Sequence, residues 1–208
     1  GLNPCGEIVG CDFHCNLAEV HLPNLEPEDL AGQEAAFRAA ALQAAALLHH
    51  RFDCERYRAS RELDPIVGVS FTGLFDFLVR ALGRAWLEWQ VEGRPTEGDR
   101  WSELEAGYLR RWREAAERTV AAYCARHGLK VPNRCTTVQP AGTKSLLTGA
   151  SPGWHAPKSA RYIRRITFRR EDPVALACLE CGYRVIPAPS AHDADGKLLD
   201  DIWDERAQ

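Results

Sequence analysis

The run Ile66-Val67-Gly68-Val69-Ser70-Phe71, the turn Thr72-Gly73 and the segment Leu74-Phe75-Asp76-Phe77-Leu78-Val79-Arg80-Ala81-Leu82-Gly83 decide the fold. The first piece is β-branched and aromatic, as a strand is; the last repeats its apolar residues at helical spacing and stops at a glycine. Upstream, after Pro27, the stretch Leu30 to Phe52 puts Leu30, Phe37, Ala41, Leu42, Ala45, Leu48 and Phe52 near one face, which predicts an amphipathic helix. Downstream, Gly93 to Asp99 reads as a loop, and Ser102-x-x-Glu105 reads as a capping box opening a long helix that Gly128 closes. Cys135 to Val138 and Ile163 to Phe168 are strand-like. Asp172-Pro173 has the form of a cap with proline at the first helical position, and Gly182 stops that helix before the short run Tyr183 to Ile186. This alternation of strand and helix predicts an α/β protein with parallel pairing.

A length of 208 residues suits one domain of ordinary size. With 45% hydrophobic and 26% charged residues, the chain has the composition of a globular protein. Its 26 basic and 29 acidic side chains leave a formal charge of -3, so bulk charge predicts neither nucleic acid nor a membrane surface as partner. The longest uncharged apolar stretch, Ala39 to His50, is far short of a bilayer span. The chain contains no methionine and opens on Gly1-Leu2-Asn3-Pro4-Cys5 with no secretory signal, which reads as a piece of a longer, cytoplasmic polypeptide. Its eight cysteines are expected to be reduced thiols with chemical work to do, since a chain this rich in core residues needs no disulfide framework. Charge is uneven: seven acids and no Lys or Arg precede Arg38, whereas Lys158 to Arg170 is a basic run fit either to face phosphates or to form a solvated strand edge.

Asn3-Pro4-Cys5-Gly6-Glu7 sets a thiol between an amide and a carboxylate, and Pro4 and Gly6 forbid a regular helix there. In an extended segment the side chains at positions 3, 5 and 7 point the same way, so one bound molecule can meet all three. Cys15-Asn16-Leu17-Ala18-Glu19-Val20 follows as a strand-like run. The residues Cys5, Cys11, His14 and Cys15 also have the right atoms for zinc, though not the spacing of the common knuckles, and a small zinc-binding or thiol-redox module is the alternative reading.

Asn3-Pro4-Cys5-Gly6-Glu7-Ile8 followed by Cys15-Asn16-Leu17-Ala18-Glu19-Val20 resembles the finger loop and next strand of ribonucleotide reductases, and the residues flanking Cys5 resemble the adenosylcobalamin-dependent class. Val67 to Leu74 resembles that family's strand-to-helix turn. Thr137-Val138-Gln139-Pro140-Ala141-Gly142-Thr143-Lys144-Ser145, with Gly149-Ala150-Ser151-Pro152-Gly153-Trp154-His155, resembles its late phosphate-binding segment, most closely in the monomeric triphosphate-reducing branch. The resemblance implies the later part of a ten-stranded α/β barrel, with residues 1 to 208 as one partial catalytic barrel domain, a finger loop over 1 to 15 and a phosphate-binding segment over 137 to 155.

It implies roles as well. Cys5 would carry a thiyl radical that removes the ribose 3′ hydrogen, Glu7 would be general base on the 3′ hydroxyl, and Asn3 would hold the neighbouring hydroxyl. Cys15 would be one of two thiols that reduce the substrate and end as a disulfide, its partner lying upstream of Gly1. Pro140, Ala141, Gly142, Thr143, Lys144 and Ser145 would bind the substrate phosphates. That segment is not a Walker loop, because its glycine does not directly precede the lysine. Read as pattern alone, it is an ordinary capped helix start. The implied cofactor is adenosylcobalamin. The implied partners are a ribonucleoside triphosphate, thioredoxin or a similar reductant, and a deoxynucleotide effector bound outside this piece; the complete enzyme would be a monomer and this piece by itself inactive. Cys178-Leu179-Glu180-Cys181 lacks the strand and turn of a thioredoxin motif and is read as coincidence.

Overall fold

Asn16–His21 (β1) and Val67–Thr72 (β2) pair in parallel, with Asn16 opposite Val67 and His21 opposite Thr72. A third segment continues the sheet on the other edge of β2 through a parallel bridge between Val69 and Thr136, where the Val69 N–H donates to Cys135 and the Thr137 N–H donates to Val69. Parallel neighbours need long crossovers, and here they are helical. Leu30–Ala46 (α1) and Glu55–Leu63 (α2) connect β1 to β2, while Leu74–Leu82 (α3), Arg84–Val91 (α4) and Trp101–His127 (α5) connect β2 to the third segment. Lys144–Leu147 (α6) and Pro173–Glu180 (α7) follow. This computed structural model describes residues 1–96, 99–142, 144–155, 167–169, 171–188 and 192–197. It forms two compact units, Gly1–Pro157 and Lys158–Gln208.

In the first unit the sheet has two unlike faces. Ala18, Val20, Val67, Val69 and Phe71 are buried in one core with Phe37, Ala41, Ala44 and Ala45 of α1 and Trp112, Ala116 and Val120 of α5. The alanines let α1 lie close between sheet and α5, and Phe37 stacks on Trp112 with ring centroids 5.1 Å apart. Buried Gln33 is fully used: its amide nitrogen donates to the carbonyls of Glu26 and Pro27, and its oxygen accepts from the Trp112 indole at 3.1 Å. The opposite face carries Leu17, Glu19 and His21 of β1 beside Gly68, Ser70 and Thr72 of β2. Gly68 is small of necessity, since a Cβ there would sit 2.5 Å from Leu17 and 2.8 Å from Thr137.

Several expectations are corrected. Leu30 and Leu42 are exposed, and α1 tightens into a 3-10 turn at Leu47–His49 before Phe52. The long helix is capped by Asp99, whose carboxylate accepts from the Ser102 N–H at 2.9 Å and is held below the usual carboxylate range by its bonds to Ser102. Glu105 turns inward instead, accepting from Trp86 and Gln90 at 2.6 Å each and pairing with Arg94 at 2.5 Å. Gly128 closes the helix with φ of +65°, as expected. Cys135 to Val138 makes only the bridge at Thr136, because the chain then leaves the sheet toward Pro140. Four of the seven acids before Arg38 form ion pairs within the first unit: Asp12 with Arg56, Glu26 with Arg80, Glu34 with Arg111 and Glu19 with Lys144.

The second unit is described in part. Asp172 caps α7 by accepting from Val174, and Gly182 follows the helix with φ of +78°, both as the sequence suggests. Tyr183 to Ile186 is exposed and joins no sheet, and Thr167 and Phe168 are in no strand. Ile163 to Ile166, and the basic run apart from residues 167–169, lie outside the described residues. Among the described residues no helix is long and apolar enough to cross a membrane.

Candidate functional site

The segment from Asn3 to Glu7 is a turn, not the extended run its alternation suggests. The Gly6 N–H donates to the Asn3 carbonyl at 3.0 Å, with proline at the second turn position and Gly6 at φ of +79°. Leu2 and Val9 bridge antiparallel below it, and the Asn3 N–H donates to Ile8 at 3.1 Å. The result is a short hairpin with Cys5 exposed near its tip. Asn3 is buried at its base, where its side-chain oxygen accepts from the Ile8 N–H at 3.1 Å and its amide nitrogen donates to the Cys15 sulfur at 3.6 Å. The turn therefore gathers Asn3, Cys5 and Glu7 around Cys15 by a different route from strand alternation. Burial pushes the Cys15 thiol up; the Asn3 hydrogen bond pulls it down, and the charges of Glu7 and Cys5 push it up again. Both carboxylate oxygens of Glu7 are buried with no hydrogen-bond partner. A buried carboxylate in that state is an acceptor awaiting a hydroxyl or another donor.

The zinc arrangement does not form. Among the described residues no three His, Cys, Asp or Glu side chains gather around a point that would hold a metal ion. His14 has its Nδ1 against the Asn16 side-chain oxygen at 2.8 Å and stacks on His50, while Cys11 is exposed beside Asp12. Those ring and thiol positions are set by Asn16 and Asp12, not by a shared centre.

The second part of the site lies across the polar face of the sheet. The chain from Gln139 to Gly153 arches over it and is tied down by side chains from both strands. Ser70 Oγ accepts from the Gln139 N–H at 2.9 Å, His21 meets Thr148 at 3.1 Å, Thr72 donates to the Ser151 carbonyl at 3.1 Å, and Asp76 of α3 accepts from the Ser151 N–H at 2.6 Å. Gly153, at φ of +50°, lies so close to the start of the arch that a Cβ would be 2.5 Å from the Gln139 carbonyl. Within the arch Ala141 is buried at φ of +50°, and the buried Ser145 hydroxyl donates to the Gly142 carbonyl at 2.9 Å. Pro140, Gly142 and Lys144 are exposed, and Thr143 is outside the described residues. Trp154 stacks over Phe71 at 6.2 Å, and His155 is exposed.

Cys15 precedes β1, and Glu19 is four residues further on the same alternating face, about 13 Å away at the rise of a strand. A ligand reaching from the cysteine hairpin to the arch must therefore be extended. Glu19, Gln139 and Ser151, which stand within the sequence motifs without an individual role assigned to them, each have a buried polar atom without a partner. The signal available for Glu19 was its alternation with core residues along β1, which sets it on the face opposite α1 and α5.

No protein-family model matches the chain. It is 30% identical over 191 residues to the adenosylcobalamin-dependent ribonucleoside-triphosphate reductase of Lactobacillus delbrueckii subsp. bulgaricus, covering 88% of this chain and 26% of that protein. To the enzyme of the same description from Lactobacillus helveticus it is 29% identical over 194 residues, 90% of this chain and 26% of the relative. The fold matches a crystal structure of a B-12 dependent, class II ribonucleotide reductase with a TM-score of 0.70 and 26% identity, over 91% of this chain and 27% of that one. The chain thus spans about a quarter of the length of the curated relatives it matches.

Proposed function

We infer, from a chain related to the class II ribonucleotide reductases over about nine-tenths of its length, that it supplies the reacting hairpin and the phosphate-binding arch of a ribonucleoside-triphosphate reductase. The observation that carries this reading is the cluster of Asn3, Cys5, Glu7 and Cys15, in which a buried carboxylate has no partner of its own. Its surroundings are those of a later part of an α/β barrel whose remaining strands and effector site belong to the rest of such an enzyme, a cytoplasmic monomer when complete.

The residues divide the work by position. Cys5, exposed at the tip of the hairpin, is accessible to a hydrogen-atom acceptor from outside the chain, which fits the cofactor class. The chemistry that bound adenosylcobalamin supplies is removal of that hydrogen atom. The sulfur-centred radical on Cys5 then takes the hydrogen from the ribose 3′ carbon and can return it, since S–H and activated C–H bonds are close in strength. Glu7 takes the 3′ hydroxyl proton into a carboxylate otherwise without a donor. The Asn3 amide, fixed through Ile8 and Cys15, holds the neighbouring hydroxyl. The 2′ hydroxyl leaves as water, and Cys15 with a second thiol supplies the two electrons, ending as a disulfide that thioredoxin or a similar reductant reopens. Residues Pro140 to Ser145 hold the polyphosphate, and the extended span from hairpin to arch is what a nucleoside triphosphate requires.

The test is a chimera in which this chain replaces the matching quarter of the Lactobacillus delbrueckii enzyme. Cofactor-dependent deoxynucleotide formation is expected. Cys5→Ser should abolish both that activity and hydrogen exchange between cofactor and solvent, because a serine O–H bond is too strong to open. Cys15→Ser should keep cofactor cleavage and lose reduction. Retained exchange in the Cys5 variant, or normal turnover in the Cys15 variant with a thioredoxin system, would remove the assigned roles.

A further inference from the structure

Three residues form one row across the polar face of the sheet: Glu19 on β1, Ser70 opposite it on β2, and Gln139, whose N–H is bonded to Ser70. Lys144 closes the row from the arch above. Its ammonium donates to Glu19 Oε2 at 2.8 Å and to the side-chain oxygen of Gln139. Glu19 and Lys144 are 125 residues apart in sequence, and the Glu19 side chain is only 4% exposed whereas that of Lys144 is 50% exposed.

An ammonium has three donors and no acceptor. Two of these are taken by Glu19 and Gln139, and the half-exposed side chain leaves the third free for a ligand. Because the ammonium can only donate, it fixes the Gln139 amide with its oxygen inward, which turns Nε2 the other way. That nitrogen and Glu19 Oε1 are the two buried polar atoms of the row left without a partner. The ammonium therefore keeps one charged donor for a ligand at the arch. Phosphate oxygens are the acceptor class that suits it.

We propose that Glu19, helped by the Gln139 oxygen, is the positioning residue that aims the Lys144 ammonium at the terminal phosphates of the substrate. Glu19 does not touch the ligand. Its carboxylate is buried behind the ammonium, and a carboxylate in contact with phosphate would repel it. Its work is to remove the freedom of a long lysine side chain before the anion arrives, so that less order is lost on binding. Glu19 lies on β1, which Cys15 immediately precedes, so the same strand sets both the reducing thiol and the lysine, and the four residues from Cys15 to Glu19 set the separation of reacting sugar and terminal phosphate. The inference rests on the reading of residues 140–145 as the phosphate segment and adds to it a residue from a different strand.

The sign of one substitution decides the matter. Removing a negative charge beside an anion site would by itself tighten anion binding; loss of aim would loosen it. With the purified chain and inorganic tripolyphosphate as probe, followed by titration calorimetry, Glu19→Gln is expected to weaken binding by roughly tenfold, the scale of a lost hydrogen bond. In a Lys144→Ala background the same change should alter affinity less than about twofold, because Glu19 acts only through Lys144. Gln139→Leu, which removes the second group that holds the ammonium, should weaken binding to a similar degree and gives an independent reading if the Glu19 variant loses the circular dichroism spectrum of the parent. Equal or tighter binding by Glu19→Gln overturns the positioning role, as does a loss that persists without Lys144. Absence of tripolyphosphate binding by the unsubstituted chain overturns the phosphate-segment reading itself, and this inference with it.

Discussion

Asn3 makes four hydrogen bonds from one residue. Its N–H and side-chain oxygen hold Ile8, its carbonyl accepts from Gly6, and its amide nitrogen reaches Cys15. The first three shape the hairpin and the fourth tunes the sulfur, so the geometry of the loop and the ionisation of the thiol are one property. A donor aimed at sulfur favours the thiolate, against burial and the nearby charges of Glu7 and Cys5. Asn3→Ala is therefore expected to raise the Cys15 thiol further and to slow its alkylation severalfold at mildly alkaline pH. Mass spectrometry of iodoacetamide labelling against pH would read this directly, with exposed Cys54, far from Asn3 in sequence, as the internal reference. Faster labelling of Cys15 would mean that the loop had opened and that shape, not the donor, is what Asn3 mainly provides.

Between the elements, a tight constraint lies at Gly68, where β2 passes between Leu17 on one side and Thr137 on the other. Gly68→Ala brings a methyl to 2.5 Å from Leu17 and must push the strands apart. Overpacking of this kind costs about 1–3 kcal/mol, or a fall in melting temperature of about 2–10 °C for a chain of this size. Differential scanning calorimetry measures it, and an unchanged melting temperature would show that the third segment yields easily. The elements themselves were largely legible in sequence. The strand at Val67, the helix ending at Gly83 and the one capped by Asp172 were marked by residues whose local preference and tertiary place agree. Helices α2 and α4 carry weaker marks: α2 buries none of its side chains fully, and α4 begins directly after the glycine that ends α3. The capping box at Ser102 misled because Glu105 has a larger task, satisfying the indole of Trp86 inside the core, and tertiary demand overrode the local motif. In the site, Asn3, Cys5 and Glu7 stand out by their alternation and take their expected roles from the resemblance, whereas the contact of Glu19 with Gln139 and Lys144 depends on which segment lies beside which, and only the fold provides that.

At the scale of the whole molecule, the helices shield one face of the sheet completely, and two thiols are enclosed there. Burial pushes Cys135 up to about 11, and burial raises Cys124 as well. Both remain protonated in the folded chain at a pH where the unfolded chain, with thiols near 9.0, has begun to lose those protons. In that window the unfolded state binds fewer protons than the folded one, so stability falls as pH rises; it is unaffected below about 9 and the loss is complete once the folded thiol also ionises, above about 11. The midpoint of urea unfolding is expected to drop between these limits, and to drop less in a Cys124→Ala, Cys135→Ala double variant. Parallel curves for the two proteins would place the alkaline sensitivity elsewhere.

The arch from Gln139 to Gly153 closes on itself at a neck, where only a glycine fits against the departing carbonyl. A loop pinned at its neck is, in evolutionary terms, a cassette. Its crown can gain or lose residues without moving the strands beneath, and at Leu147, which is 84% exposed, nothing in the core would register the change. Its two feet have no such freedom. Lineages descended from a common ancestor of this chain should then differ in loop length near Leu147 and keep the glycine at 153, so that insertions and deletions in an alignment of its descendants would trace the outline of the arch.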